Sequence, residues 1–545
     1  MIAADVTDLL AGFRETRLPS GVTRVQTRLI GTGAFPMLAH DGAAWRRLDP
    51  ARIAALITAT TQPGTPRDAD WVALLDTAFE GSIPHPITPG DWLLGAGAAW
   101  WLPGHAARIA AAKREGLRYA SIVYDMLPFS VPEHVSAGLL RAFTQHAATL
   151  CLLADHAICI SEAARAEFRL WQPRILPGIS IPADVMRLDA RFEAAEPNGQ
   201  MPDEPYVLAV GSVESRKNQL GVLRAWLHLA RLHGEAAVPR LVMVGIAGFL
   251  AEQCEQLLNS APELRRRVEW RRAVADGELA ALYQGCLFTL FFSHAEGWGL
   301  PATESLAHGK VPLLADIPVL RESGGPHAVY TPPENVPALA EAVWALAHDH
   351  AGRSAREAAI RADPGLRSWP ELAAQAAALL RDAGPPPPAA RAMLSPGETL
   401  PMGLPPAPDL PALPPAPLCM GALLREGPGW SHQEDWGCWI TGDGPAMLRV
   451  PLPPGAALTL EMQVLGPGPG HAGRLRQAGA GWQEWRLPGG PGALRLDVTV
   501  PADGVLVVEF DVRGGIDVPP DHRRLGLGIA SVTPRERRRW WQLGR

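Results

Sequence analysis

At 545 residues, with 47% hydrophobic and 19% charged side chains, the chain holds three or four domains at about 150 residues each and has ample material for large cores. A formal net charge of −6 argues against nucleic acid as the main partner. The N-terminal "MIAADVTDLL" lacks a basic segment followed by a long apolar one, and no stretch approaches the ~20 apolar residues that cross a bilayer. Six cysteines (Cys151, Cys159, Cys254, Cys286, Cys419, Cys438) form no CxxC pair and several sit in apolar stretches. They read as reduced core thiols, and the protein is expected in the cytoplasm.

In chain order, "LPSGVTRVQTRL" (18–29) places Gly21 just before a helix, where a side chain would block close approach of a phosphate. "RDADW" (67–71) contains Asp68 and Asp70 at a metal-binding spacing, but no apolar strand precedes it and Asp suits a helix cap there, so it is read as structural. The sixteen histidines show no HExxH or similar spacing, and no protein metal site is predicted. Strands are expected at 91–101, 119–125 and 156–161, with helices at 103–115 and 136–153. From 205 to 350 the pattern is cleaner: strands at 206–211, 240–245, 267–270, 286–292, 311–315 and 327–331, a helix at 218–232, and helical segments between the others. Repeated strand–helix–strand units predict α/β domains with doubly wound parallel sheets and a ligand cleft at the carboxyl ends of their strands.

Residues 384–418 form a proline-rich linker, with thirteen prolines among the 33 residues from 385 to 417. Neither helix nor sheet persists through such a run, so the linker is expected to isolate the C-terminal segment from the α/β domains. Residues 419–533 alternate apolar and polar side chains between Gly and Pro punctuation, as a β-sandwich does. The tail, 534–545, joins basic residues to Trp540 and Trp541, which suits contact with anionic lipid or a frayed end. The expected order is thus 1–195 and 196–383 as two Rossmann-like domains, then linker, sandwich and tail.

The most informative stretch is "SHAEGWGLPATESLAHGK" (293–310). It comes after an apolar strand, passes through Gly297 and Gly299, and opens a helix at Pro301, whose missing N–H costs nothing in a first turn. Such a loop presents free N–H groups and a positive dipole end to an anion. Glu296 and Glu304 stand eight residues apart across that opening. In "VGSVESRKNQL" (210–220), Arg216 and Lys217 lie in the strand-to-helix loop at the carboxyl edge of the same sheet, as a diphosphate site requires.

With "VYDMLPFSVPE" (123–133), "ISEAARAEF" (160–168), "ILPGI" (175–179) and "GKVPLLADIPVLRESGG" (309–325), these motifs resemble glycosyltransferase family 4, retaining enzymes of the two-Rossmann (GT-B) architecture, over about 1–383. The nearest branch is the bacterial mannosyltransferase-like one that builds exopolysaccharide or O-antigen chains. The resemblance implies that Glu304 holds the ribose hydroxyls of a nucleotide sugar and Glu296 contacts the transferred sugar. It implies that Lys217, helped by Arg216, neutralises the donor diphosphate, while the 297–301 backbone, with Gly297, Trp298, Gly299 and Leu300, lines sugar and phosphate. Gly21 and Gly211 complete the phosphate site, and Asp125 faces the reacting sugar or acceptor. The resemblance also places Ser212, beside Gly211, in the nucleotide-sugar site, where many members carry arginine; many carry histidine where this chain has Tyr124.

The expected function is metal-independent, cofactor-free transfer of a hexose, with GDP-mannose the favoured donor, to a glycan or polyprenyl-linked acceptor. Peripheral contact with the inner face of the cell membrane is a further expected partnership. The competing readings are a non-catalytic glycan-binding or scaffold protein, which Glu296, Lys217 and Glu304 argue against, and an epimerase of the same architecture, which the appended sandwich disfavours. Trp430, Trp436 and Trp439 suit either stacking on sugar rings or plugging the sandwich core.

Overall fold

The computed structural model describes all residues except 18, 61–64, 103, 193–195, 200, 273, 388–393, 405–419, 422, 518–523 and 538–545. Cys419, most of the proline-rich run, and Trp540 and Trp541 therefore lie outside the described residues. The five described cysteines are buried.

The first domain is built on an eight-stranded sheet in the order Ile83–Pro84, Trp45–Arg47, Met37–His40, Ile2–Asp5, Trp92–Gly95, Arg118–Val123, His156–Cys159, Ala183–Val185. Six strands pair in parallel, and Trp45–Arg47 pairs antiparallel with both Met37–His40 and Ile83–Pro84, so it alone runs against the direction of the sheet. The central strand Ile2–Asp5 carries no sequence signal of its own, because two of its four residues are alanine and only tertiary burial makes it a strand. The strand expected at 91–101 stops at Gly95 and gives way to a 3-10 turn, Ala99–Trp101. The Asp8 carboxylate accepts the Ala98 N–H at 2.8 Å, which turns the chain out of the sheet.

The second domain holds six parallel strands in the order Val268–Arg271, Arg240–Val244, Tyr206–Val210, Thr289–Phe291, Pro312–Ala315, Val329–Thr331. In chain order this is 3-2-1-4-5-6, with the topological switch between Tyr206–Val210 and Thr289–Phe291, so the ligand crevice opens beyond those two strands. Apolar runs such as "PLLA" are buried throughout because helices cover both faces. Trp226 anchors the helix Gln219–His233, buried and donating its indole N–H to the Pro239 carbonyl at 2.9 Å.

The helix Trp369–Arg381 comes after the second domain in sequence but packs into the first. Trp369, Leu372, Ala376 and Leu380 join the first domain's core, and Trp369 meets Phe192 edge-on at 5.1 Å. Arg367 pairs with Asp189 at 2.6 Å, and Gln375 donates to the Val185 carbonyl.

Two antiparallel sheets form the C-terminal sandwich, one with Ala457–Gly466 and Leu527–Glu536 at its centre, the other with Val505–Arg513. Alternation of buried and more exposed residues along Ala457–Gly466 and Val505–Arg513 places Leu458, Leu460, Met462 and Val464 in one layer against Leu506, Val508 and Phe510. The sandwich begins earlier than the expected residue 419: Leu394, Leu400, Met402 and Leu404 are buried, and Leu400–Pro401 pairs with Leu527–Glu536. Proline is tolerated there because the short strand sits at an edge.

The sandwich is also not isolated, contrary to the sequence expectation. Leu423 packs against the first-domain cluster of Leu38, Trp45, Leu93 and Leu153. Arg141 pairs with Asp435 and donates to the Leu404 carbonyl, and Gln145 bonds Gln433 at 2.9 Å. Proline-rich composition forbids regular structure within the run but does not stop its ends from docking.

Candidate functional site

The site grows from the switch point of the second sheet. After Tyr206–Val210 the chain passes Gly211 and a 3-10 turn, Ser215–Lys217, before Asn218 caps the next helix by accepting the Gly221 N–H. Beyond the adjacent strand, the loop 292–299 is stitched to that turn: the His294 N–H donates to the Arg216 carbonyl at 2.8 Å, and Arg216 Nη1 donates to the Ala295 carbonyl at 2.7 Å.

The pairing puts the Glu296 carboxylate between two cations, with Oε1 2.9 Å from both Arg216 Nη1 and Lys217 Nζ. Burial opposes ionisation of Glu296, but the two cations outweigh it and hold the carboxyl down at about 2. Arg216 also pairs with Glu214 at 2.8 Å, and these carboxylates raise its pKa against burial. Its donors are therefore committed to Ala295, Glu296 and Glu214. The Lys217 ammonium lies 4.7 Å from the centre of the Phe291 ring, held by a cation–π contact.

Glu304 lies on the helix Leu300–Ala307, which starts as the sequence predicts, with Pro301 in its first turn. Two glycines shape its entry. A Cβ on Gly297 would stand 2.2 Å from the Tyr124 carbonyl oxygen, and Gly299 has a left-handed φ of 92° with Leu320 2.6 Å from where a Cβ would be. Glu304 is buried, accepts the Tyr283 hydroxyl at 2.8 Å, and pairs with Arg24 at 2.6 Å. Glu304 in turn raises the pKa of Arg24.

Arg24 belongs to the helix Gly21–Gly31 of the first domain, so this pair spans the cleft. Other contacts clasp the domains alongside it. Ser161 Oγ donates to the Gly297 carbonyl at 2.9 Å, Glu322 accepts the Glu162 and Ala163 N–H groups at 2.9 Å each, and His134 stacks on His294 at 5.2 Å. The Glu322 carboxylate thereby satisfies a helix N-terminus.

The remaining sequence-derived candidates divide into those at the cleft and those serving it. Asp125 reaches the site at the end of Arg118–Val123; burial raises its pKa, opposed by Arg216, and it accepts the Leu127 N–H at 3.1 Å. Gly21 faces Leu300 across the cleft, where a Cβ would sit at an ordinary 3.8 Å. Gly211 passes under the Lys217 side chain. Ser212 enters through its backbone, accepting from Gln219 at 2.8 Å. Trp298 is buried in the first domain's core with Arg187 over its ring at 6.0 Å, and Leu300 packs against the same core. Tyr124 braces the floor, donating its hydroxyl to the Ala96 carbonyl at 2.6 Å. Asp68 accepts from Thr65 and pairs with Arg17. Among the described residues no group of three or more His, Cys, Asp or Glu could hold a metal ion.

Sequence reasoning missed Arg24, Tyr283 and Ser161 as cleft residues. Arg24 had one legible sign: its helix, "GVTRVQTRLIG", holds two arginines and no acid to pair them.

Two parallel α/β domains, clasped across the carboxyl ends of their strands around a cationic loop and two glutamates, define the GT-B class of architecture, here followed by an antiparallel sandwich. More particularly, residues 191–363 match the family described as glycosyl transferases group 1. The chain is 29% identical over 261 residues to a serotype-specific mannosyltransferase, WbdA, of Escherichia coli, covering 44% of this chain and 31% of that protein. It is 27% identical over 179 residues to the O-antigen chain mannosyltransferase B of Escherichia coli, covering 32% of this chain and 45% of that protein. The chain thus spans less than half the length of these curated relatives. Among solved structures, Anabaena Alr3699/HepE in complex with UDP aligns at a TM-score of 0.46 and 17% identity, over 70% of this chain and 99% of that one. Sucrose-phosphate synthase from Thermosynechococcus elongatus aligns at 0.48 and 18%, over 70% and 98%. No helix among the described residues is long and apolar enough to cross a membrane.

Proposed function

We propose that the protein is a retaining glycosyltransferase that moves a hexose, mannose by preference, from a nucleotide sugar to a glycan or polyprenyl-linked glycan in bacterial surface-polysaccharide synthesis. The observation that carries this reading is Glu296, held ionised between Arg216 and Lys217 at the switch point, one helix entry away from the buried Glu304. The group 1 match and the two mannosyltransferase relatives support the class and favour mannose.

In this reading Glu304 receives the ribose hydroxyls, exchanging Arg24 for them as the donor enters. Lys217 and the N–H groups at the start of Leu300–Ala307 take the diphosphate, whose negative charge grows as the sugar leaves. Glu296 hydrogen-bonds the transferred sugar, and Asp125 faces it from the first domain. The positive charge that meets the leaving group comes from the protein, so transfer proceeds without divalent metal or cofactor. A lipid-linked acceptor would bring the protein to the inner face of the membrane.

A thermal-shift panel of GDP-, UDP- and dTDP-sugars tests the donor, because a ligand at a hundredfold excess over its Kd stabilises by ~2.7 kcal/mol. GDP-mannose should give the largest shift, and Glu304→Ala should weaken its binding by ~1.5–3 kcal/mol, the worth of hydrogen bonds to a charged group. Product analysis by NMR should show the donor's anomeric configuration retained, with full activity in chelator. Absence of any shift with all three donor classes would sink the reading.

A further inference from the structure

We propose that the chamber between the first α/β domain and the β-sandwich is an oligosaccharide site, in which the sandwich forms one wall and the acceptor glycan lies along the other. It rests on the transfer reading above for the identity of its ligand, and on its own geometry for its existence.

The chamber encloses about 1070 Å³, above the upper end of the range for sites that hold one drug-sized molecule, and so has room for several sugar rings. Its lining alternates aromatic faces with hydrogen-bonding groups. Trp100 and Trp101 come from the 3-10 turn of the first domain, and Trp430 comes from the sandwich. Arg108 and His105 face the chamber from one side and Gln433 from the other. Indole faces suit the apolar C–H faces of sugars, while hydroxyls need both donors and acceptors.

His105 is the group that a simple packing gap leaves unexplained. It is 6% exposed, its Nε2 pairs with Asp5 at 3.1 Å, and its Nδ1 has no hydrogen-bond partner among the described residues. Buried polar atoms are rarely left so without a ligand or water. Arg108 likewise has no carboxylate at ion-pair distance among the described residues. The chamber also leads towards the donor site. A smaller cavity of about 300 Å³ shares Asp8 and Trp101 with it and runs to Ser20 and Thr23, at the start of the helix whose Gly21 faces Leu300. Trp436 and Trp439 belong elsewhere: they pack edge-on against each other at 5.2 Å, and neither lines the chamber.

The test uses the full chain with mannose oligosaccharides of two to six residues, their binding followed by calorimetry and ligand-observed NMR. The hexasaccharide should bind more tightly than the disaccharide. Trp430→Ala and Trp101→Ala should each weaken hexasaccharide binding about tenfold while the thermal shift with nucleotide sugar stays unchanged. Trp101 is 43% exposed, so its variant keeps the test decisive if loss of the half-buried Trp430 unfolds the sandwich. Equal affinity for all lengths, or a folded Trp101→Ala chain that binds like the wild type, overturns the site. Oligosaccharide binding that needs Trp101 in a protein with no nucleotide-sugar shift upholds the site and removes the transfer reading instead. A nucleotide-sugar shift with no oligosaccharide binding at any length does the reverse.

Discussion

Lys217 and Arg216 are neighbours in sequence with different work to do. Arg216 spends its donors on Ala295, Glu296 and Glu214, whereas Lys217 offers a compact ammonium that pairs with Glu296 and lies over the Phe291 face. Removing Lys217 should therefore act on the transition state. Lys217→Ala is expected to lower turnover ~10²–10³-fold with a smaller change in donor KM, by analogy with the loss of one oxyanion donor. A proportionate rise in KM at unchanged kcat would reassign Lys217 to ground-state binding.

Glu296 gives a pH prediction with a definite sign. Its folded pKa of about 2 lies below the ordinary 4.5, so the native state binds that proton more weakly than the unfolded chain does. The stability gained, on the order of 3 kcal/mol, is present in full above pH 4.5 and is lost as pH falls towards 2. Urea unfolding from pH 5 to pH 3 should show Glu296→Gln losing stability less steeply than the wild type, and parallel slopes would remove Glu296 as the source.

The element that matters most is the loop and helix from Gly297 to Ala307. Its backbone is pinned by contacts that only glycine allows, and its Trp298 is a plug seated in the opposite domain. Gly299→Ala would have to hold a left-handed φ with Leu320 in the way, at a cost of about 1–3 kcal/mol. Trp298→Ala should cost about 3–5 kcal/mol by leaving a cavity in the first domain's core. The two substitutions should differ in solution shape. Trp298→Ala removes a cross-domain anchor and should enlarge the radius of gyration measured by X-ray scattering, whereas Gly299→Ala should lower the melting temperature with little expansion. The reverse pattern would show that polar pairs such as Arg24–Glu304, and not Trp298, hold the domains together.

At the scale of the whole molecule, the sandwich is part of the first domain's surroundings. A chain ending at Ala383 would uncover the seat of Leu423 and leave Arg141 and Gln145 without Asp435 and Gln433. It should bind a hydrophobic dye and melt at a lower temperature than the full chain, while the residues proposed to hold the donor, all before 305, remain present. A truncated chain with the thermal midpoint of the intact protein would restore the picture of an independent module.

Much of this protein is legible in local chemistry alone. Short apolar runs predict the interior strands of the second sheet, because a parallel strand covered on both faces is apolar almost throughout; the edge strand Val268–Arg271 carries Glu269 and Arg271 and is only half-buried. The 293–310 stretch announces a helix entry that suits an anion, because Pro301, Gly297 and Gly299 act within one turn of themselves. What the sequence could not decide were pairings between distant parts of the chain. Ile2–Asp5 is a strand because neighbours bury it, Arg24 becomes a cleft residue because the domains close over Glu304, and Trp369–Arg381 crosses back because its apolar face fits the other domain. The docking of the sandwich is of the same kind: composition dictates that a proline-rich run will not form regular structure, but only the complementary surfaces at its ends determine where the next domain comes to rest.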